Sequence, residues 1–287
     1  MNCQFSFGPN RSYFCSTESH YAWSDNIAPP SLLSILEDPQ HPQTMQTPYD
    51  VAFPMEPGAY MMCWRTSRGE NWYEDGCMDP QYARLARFIR TAASTADGHT
   101  TRTVFGPNAS FFSMSDRGYC WQNLPPALED DLQTSLRVRR PTSVALGAHG
   151  AFVVIYSDGT ISFNLQDLYP VVEGLLSDTH SGWQEAARRG GIVYVALNPH
   201  MPGEFYLVYG DGSAFWGLPT EWAKDVTTVS REIKPVHALS SVSLGGTAPS
   251  APIATPAPAP APAHKMNWVE GVTLGLKVVN AVNNLSN

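Results

Sequence analysis

Charged side chains are scarce in this sequence. Asp, Glu, Lys and Arg make up 15% of its 287 residues, whereas about a quarter is usual for a globular protein. The formal net charge is −8 at pH 7, and the basic residues form no stripe along the chain. Because binding to nucleic acid depends on neutralising phosphates with Lys and Arg, we expect no nucleic-acid partner.

Cysteines with metal-ligand or redox spacing are also absent. The five cysteines are Cys3, Cys15, Cys63, Cys77 and Cys120, and no CxxC or Cys/His spacing occurs. Three of them lie in strand-like runs, which is typical of small core residues in a reducing compartment. The sequence therefore predicts neither a bound metal nor a cofactor.

Targeting and catalytic signals are missing as well. The stretch "MNCQFSFGPNRS" lacks the basic and apolar regions of a signal peptide. The apolar runs are too short for a membrane-spanning helix, so we expect a soluble cytoplasmic protein. GxSxG, P-loop and HExxH motifs do not occur. We therefore expect no enzymatic activity, although an active site built from distant residues remains an alternative.

The chain does contain an internal repeat. The stretch "FGPNRSYFCSTESHYAW" at 7–23 aligns without a gap with "FGPNASFFSMSDRGYCW" at 105–121, with eight identical positions. Three further copies begin at Val51, Val144 and Val193. One aromatic residue per copy forms a column with a spacing near 48 residues: Trp23, Tyr73, Trp121, Phe163 and Trp216. Such a period is typical of propellers and other repeat arrays.

Each copy has the pattern of three strands followed by a short helix. Apolar runs alternate with turns, of which "SDG" at 157–159 and "GDG" at 210–212 are typical hairpin turns. A segment that begins with proline and has apolar residues three and four apart then predicts a helix. Because one unit cannot bury both its faces, we predict an all-β fold in which residues 1–245 form a five-bladed β-propeller with short helices between blades. Residues 233–245 are the predicted latch strand.

The repeated pattern "GPNxSYF…W…LP…L" resembles repeats of fungal propeller proteins. It is more distantly similar to the propeller repeats of the regulator of chromosome condensation and of tectonins, whose blades contain "G…dG…W". The resemblance covers residues 4–245, and the second unit, with "CWRTSRGENWYEDGC", departs from it most. It implies a propeller that serves as a binding platform, while the ligands of such proteins differ.

Two further segments follow the repeats. Residues 246–264 are rich in Ala and Pro and predict a semi-rigid, extended linker. Residues 265–287 predict a helix that is apolar over most of its circumference and must therefore be buried. It either docks back on the propeller, self-associates or binds a protein partner (as a helix or as a β-rich assembly), or lies on a membrane surface. The predicted docking residues are Trp268, Val269, Val272, Leu276 and Val279.

Candidate ligand-binding residues form two sets. The first is the turn column, one polar residue in the first turn of each unit: Asn10, Glu56, Asn108, His149 and His200. Left-handed turn conformations explain Asn and His at such positions equally well. The second is the dense cluster in the irregular second unit: Trp64, Arg65, Arg68, Glu70, Trp72 and Asp75.

Other repeated positions favour structure over binding. The hairpin-tip carboxylates are ordinary turn residues: Glu18, Asp116, Asp158 and Asp211. The aromatic column predicts packing between blades, or alternatively a platform for sugar rings. Together these features predict a non-catalytic binding or scaffold module, tethered through its C-terminal segment to itself, a partner or a membrane. The alternative is a lectin that binds a glycan in clefts between blades.

Overall fold

The structure is a computed structural model that describes residues 3–24, 26, 29–75, 78, 80–93, 96–177, 181–236 and 277–280. Within these residues the protein is mostly β, with short helices between the sheets. None of the helices in the described part is both long and apolar enough to cross a membrane. The predominance of strands confirms the predicted all-β class.

Consecutive strands pair antiparallel in five sheets, each with the order first, second, third. The strands of sheets 1 to 3 are β1 (Cys3–Gly8), β2 (Ser12–Thr17), β3 (Tyr21–Trp23); β4 (Met45–Ala52), β5 (Met61–Thr66), β6 (Asn71–Glu74); β7 (Arg102–Gly106), β8 (Ser110–Ser115) and β9 (Gly118–Gln122). The strands of sheets 4 and 5 are β10 (Pro141–Leu146), β11 (Phe152–Tyr156), β12 (Thr160–Asn164); β13 (Ile192–Leu197), β14 (Phe205–Tyr209) and β15 (Ala214–Gly217).

The turns between these strands follow from the residues in them. Asn10, Asn108 and His149 have φ values of 58°, 59° and 52°, a left-handed conformation that Asn and His tolerate better than most residues. At the hairpin tip of sheet 4, Asp158 accepts a hydrogen bond from the amide of Thr160 at 2.9 Å. The predicted hairpins at 157–159 and 210–212 are therefore confirmed.

Short helices follow every sheet in the described part of the chain. They are α1 (Pro30–Glu37), α2 (Ala83–Ala93), α3 (Pro126–Ser135), α4 (Pro170–Leu176), α5 (Ser181–Arg188) and α6 (Ala223–Ser230). Of the four predicted proline-started segments, two form α1 and α3 directly, and those at Pro80 and Pro219 lead through a 3-10 turn into α2 and α6. Helix α4 also begins with a proline. Proline suits these positions because it fixes φ at a helical value and needs no amide partner in the first turn.

Five apolar clusters lie between successive sheets, each with helical residues between the two sheets. Between sheets 3 and 4, for example, Phe112 of β8 packs with Leu128 and Leu132 of α3 and with Phe152 and Val154 of β11. Corresponding clusters join sheets 1 and 2, 2 and 3, and 4 and 5. The fifth cluster joins sheet 5 to sheet 1. Every sheet therefore buries both of its faces.

Four cysteines belong to these apolar surroundings, as the sequence predicts. Cys3, Cys15, Cys63 and Cys120 are free and buried. Burial raises the pKa of the Cys3 and Cys15 thiols to about 12, because an apolar environment disfavours the thiolate. Cys77 lies outside the described residues.

The aromatic column has one structural role in all five sheets. Each member lies on the third strand opposite a residue of the second strand, as in the pairs Phe14–Trp23, Phe112–Trp121 and Tyr206–Trp216. Phe163 is a buried core residue, and the other four members pack at the borders of the clusters. The predicted equivalence of the five positions and their packing role are confirmed.

Only the first four residues of the predicted latch strand, 233–236, are described, and they do not form the strand. Ile233 packs in the cluster between sheets 5 and 1, and Val236 donates one backbone hydrogen bond to Gly210 at 2.8 Å. Pro235 has no amide hydrogen and therefore interrupts any ladder. The ion pair between Lys234 and Glu18, at 2.6 Å, links this segment to sheet 1 instead. Residues 237–245 lie outside the described residues.

Four residues of the C-terminal segment are described, and they form a strand rather than the predicted helix. β16 (Lys277–Asn280) pairs antiparallel with β12 and adds a fourth strand to sheet 4. Two β-branched valines favour a strand, and an edge strand offers unpaired backbone groups. Val279 pairs with Ile161. The linker 246–264 and the other predicted docking residues, Trp268, Val269, Val272 and Leu276, lie outside the described residues.

We predict that Trp121→Ala lowers the free energy of unfolding by about 3 kcal/mol, the low end for a large aromatic truncation, because Trp121 is only partly buried. Its ring stacks on Phe112, and its Nε1 donates to Glu129 at 3.2 Å. Trp121→Phe keeps the stack and loses one hydrogen bond, so it should cost about 1 kcal/mol. Chemical denaturation measures both values. Equal stability of Trp121→Ala and the wild type would contradict the packing role.

Removal of residues 265–287 should expose the edge of β12. We expect faster amide hydrogen exchange in Thr160–Asn164 of the truncated protein, with no change in β9, the third strand of sheet 3, because only sheet 4 pairs with the tail in the described structure. Hydrogen exchange with mass spectrometry measures both strands in one experiment. Unchanged exchange in β12 would show that β16 does not occupy this edge in solution.

Candidate functional site

A cavity of about 420 Å³ lies where the first strands of the five sheets meet. Residues of β1, β4, β7, β10 and β13 all line it. These strands contact one another in the order β1, β4, β7, β10, β13 and again β1. The cavity is therefore surrounded by the corresponding strand of every repeat.

Side chains link the first strands of sheets 1 and 2 beside this cavity. The Gln4 amide donates to the Asp50 carboxylate at 2.6 Å and to the Val51 carbonyl at 2.8 Å. In return the Gln4 carbonyl accepts from the Val51 amide at 3.0 Å. Ser6 also donates to Val51. These bonds replace a backbone ladder between two strands that belong to different sheets.

Tyr194 joins sheet 5 to sheet 1 in a similar way. Its hydroxyl accepts from the Phe5 amide at 2.9 Å and donates to the Phe5 carbonyl at 3.0 Å. Between sheets 4 and 5, the Val195 amide donates to the Ser143 hydroxyl at 3.4 Å. Burial raises the pKa of Tyr194, so its phenol stays neutral and serves as a structural bridge.

Asp50 is the only carboxylic acid among the described residues that line the cavity, and it is fully buried. Burial raises the pKa of Asp50 to about 7, while the charge of Arg102 and the polar groups of Thr103 and Gln4 partly oppose this rise. Oδ2 makes no hydrogen bond of standard geometry among the described residues. A fully buried carboxylate is costly to ionise, so near pH 7 the neutral acid is well populated.

Arg102 is the one arginine in the described lining of the cavity. Its Nη1 donates to the backbone carbonyls of His99 at 3.1 Å and Thr101 at 2.6 Å. Among the residues that the structure describes, Arg102 has no ion-pair partner. The half-buried guanidinium thus keeps donors that these two bonds do not use, since arginine has five.

The residues of the dense cluster predicted in the second unit lie on and around the hairpin of β5 and β6, but they differ in burial. Trp64 is fully buried and donates from Nε1 to the Gln43 carbonyl at 2.9 Å, so its prediction as a ligand-contacting residue is wrong. Trp64 is buried because its side chain on β5 packs in the cluster between sheets 1 and 2. Arg65, Arg68 and Glu70 are exposed, Trp72 is 40% exposed, and Asp75 pairs with Arg90 at 3.5 Å. None of the six lines the cavity.

The turn column also lies away from the cavity. The positive φ of Asn10, Asn108 and His149 accounts for the residue types there without a ligand. Glu56 accepts a hydrogen bond from Tyr82 at 2.9 Å. The ring of His200 is half-buried with Nε2 unpartnered among the described residues, and burial lowers its pKa. None of the five residues lines the cavity, and their role in ligand binding stays a prediction.

The hairpin-tip carboxylates act as turn and ion-pair residues. Glu18 pairs with Lys234, Asp116 with Arg140 at 3.4 Å, and Asp158 with Arg139 at 3.7 Å. Asp211 accepts from the Ser213 amide at 2.8 Å. In the part of the chain that the structure describes, no group of three or more His, Cys, Asp or Glu side chains is placed to hold a metal ion.

Sequence reasoning missed the polar residues of the first strands: Gln4, Asp50, Arg102, Ser143 and Tyr194. A signal was present, because each lies in or beside an apolar run, as Asp50 does in "TPYDVAFP" and Arg102 in "TRTVFG". A charged residue in such a run marks either an edge or a buried polar contact. Their convergence at one cavity depends on how the first strands of different sheets meet in space, which a local run of residues does not report.

Comparison with known proteins adds no family to this picture. No protein-family model matches the chain, and no similar sequence is found among curated proteins. The support for the candidate site is therefore its geometry.

The raised pKa of Asp50 predicts a pH-dependent stability. In the unfolded chain the carboxyl loses its proton near pH 4, whereas the folded protein holds the proton up to about pH 7. The free energy of unfolding should therefore fall as pH rises from about 4 to 7. In Asp50→Asn this fall should be smaller by an amount on the order of 4 kcal/mol.

Denaturant titrations at pH 4, 5.5, 7 and 8 measure this difference, with Asp130→Asn as the control because Asp130 is exposed. The control should follow the wild-type curve. If Asp50→Asn and the wild type show parallel pH profiles, the carboxyl is not protonated in the folded state and its environment is more polar than described.

Proposed function

We propose that the five sheets are the blades of a closed five-bladed β-propeller that serves as a non-catalytic binding module. The order of contacts among the first strands, which returns from β13 to β1, supports closure. The apolar cluster between sheets 5 and 1, where Phe5 stacks on Tyr206 at 4.7 Å, supports it further. These blades have three strands, whereas four are usual in propellers.

The proposed ligand site is the central cavity, and one observation carries this proposal. All five first strands contribute to a single cavity of about 420 Å³, a volume within the range of small-molecule sites. Its lining combines apolar and aromatic side chains with a few polar groups, which is the usual composition of such sites. The ligand would be a small molecule, and no macromolecule would need to enter the ring.

A binding function is favoured over catalysis by the chemistry of the lining. Cys3 is the lining residue with a thiol nucleophile, and burial raises its pKa to about 12. A catalytic thiol needs the opposite shift, towards the thiolate. Tyr194 uses its hydroxyl in two hydrogen bonds to Phe5.

The lectin alternative has less support because the aromatic column is engaged in packing. Trp121 stacks on Phe112, Trp216 stacks on Tyr206 at 6.1 Å, and Trp23 stacks on Tyr21 at 5.8 Å. A sugar platform requires an aromatic face that is free. We therefore place the primary ligand in the central cavity rather than in clefts between blades.

The C-terminal segment would tether the propeller, in the first instance to itself. The pairing of β16 with β12 supports docking within the chain, and it completes sheet 4 to the usual four strands. The same strand addition is available to a second copy, because the linker 246–264 separates the segment from the propeller. Self-association, a protein partner and a membrane surface remain the other proposed uses of residues 265–287.

The test of the cavity is a ligand-observed NMR screen of small fragments against the full chain. Val144 lines the cavity and is only partly buried, so Val144→Trp should fill the space that a ligand needs. Fragments that bind the wild type should lose at least tenfold in affinity. Val138→Trp is the matched control, since Val138 is 84% exposed and outside the lining.

Thermal melts of both variants show whether the fold is intact before binding is compared. Equal affinities of folded Val144→Trp and the wild type would place the bound fragments elsewhere. A screen in which no fragment binds the wild type would contradict the proposed function.

A further inference from the structure

The charge inside the central cavity indicates what kind of ligand fits it. This inference rests on the proposed binding function of the cavity. Arg102 and His99 are the basic residues of the lining, and Asp50 is the acidic one. An arginine that faces a cavity normally has a carboxylate or phosphate partner, because its planar fork matches those groups. Here the described residues supply only two backbone carbonyls, from His99 and Thr101.

Asp50 does not take the place of that partner. It forms no ion pair with Arg102, and its Oδ1 is bonded to Gln4 at 2.6 Å. Because burial holds the carboxyl partly protonated near pH 7, its negative charge only partly offsets the guanidinium. The neighbouring Tyr194 hydroxyl is bonded to Phe5 and is no competitor for an anion. The cavity therefore has an excess of positive charge located on one side chain.

The remaining lining is mainly apolar. Val104, Met114 and Val144 line the same cavity as Arg102 and are only partly buried. A strongly hydrated multivalent anion such as a phosphate would lose its water against these side chains with one arginine as compensation. A monoanion with an apolar body can pair with the Arg102 guanidinium and also contact the apolar side chains of the lining.

We propose that the central cavity binds a small organic carboxylate, with its carboxylate on the Arg102 guanidinium and its apolar body against the partly buried aliphatic side chains of the lining. Arg102 is thus the specificity-determining residue of the site. Recognition depends on the charge and planar shape of the acid group, while the apolar body contributes affinity.

The experiment compares phenylacetate with phenylacetamide, which have nearly the same shape and differ in charge. Isothermal titration at fixed salt measures both affinities for the full chain. The wild type should prefer the acid at least tenfold, the effect of about one charge-assisted hydrogen bond. Arg102→Gln should bind the two probes within about twofold of each other, and Arg102→Lys, which keeps the charge without the fork, should show an intermediate preference.

Arg68→Gln is the matched control, because Arg68 is exposed and outside the cavity lining, and it should keep the wild-type preference. Equal binding of acid and amide by the wild type would overturn the carboxylate assignment, as would a preference retained in Arg102→Gln. If neither probe binds while uncharged fragments do, the inference fails and the cavity remains a ligand site. If no fragment of any class binds, the proposed function fails with it.

Discussion

Burial of both faces of every sheet is the constraint on which this structure depends. The middle strands show it most clearly, since Ser12–Thr17, Phe152–Tyr156 and Phe205–Tyr209 are buried along their whole length. A three-stranded sheet with two apolar faces is unstable alone and needs a neighbour on each side. Helical residues fill part of each interface, as Leu128 and Leu132 do. A repeated unit of this kind reaches full burial when the last unit packs on the first.

The same packing brings the inner edges of the sheets together and creates the central cavity. First strands of neighbouring sheets are not paired by backbone bonds, so their polar backbone groups need other partners. Gln4, Tyr194 and Ser143 provide them from their side chains. These bridges link strands of neighbouring sheets that no backbone ladder joins. The cavity and its charged residues, Asp50 and Arg102, are thus consequences of the ring-like contact order.

Much of the fold was predictable because its signals are local. The hairpin turns, the proline-initiated helices and the aromatic column each depend on residues within one unit, and all are confirmed. Trp64 was assigned to a ligand surface because neighbouring charges suggested exposure, yet alternation along β5 turns it into the core. The strand at Lys277–Asn280 depends on pairing with β12, more than a hundred residues away. Periodicity within the segment cannot report such a partner.

The repeat length and the alternation of apolar residues specified five similar sheets with helices between them, because those patterns act through short-range geometry and burial. The tertiary structure alone decided which polar residues meet. Gln4 and Asp50 lie in different units, as do Phe5 and Tyr194, and their contacts require the inner strands of separate sheets to converge. The raised pKa of Asp50 and the lack of an ion-pair partner for Arg102 among the described residues arise from that convergence, since desolvation and charge depend on what surrounds a side chain in space rather than along the chain.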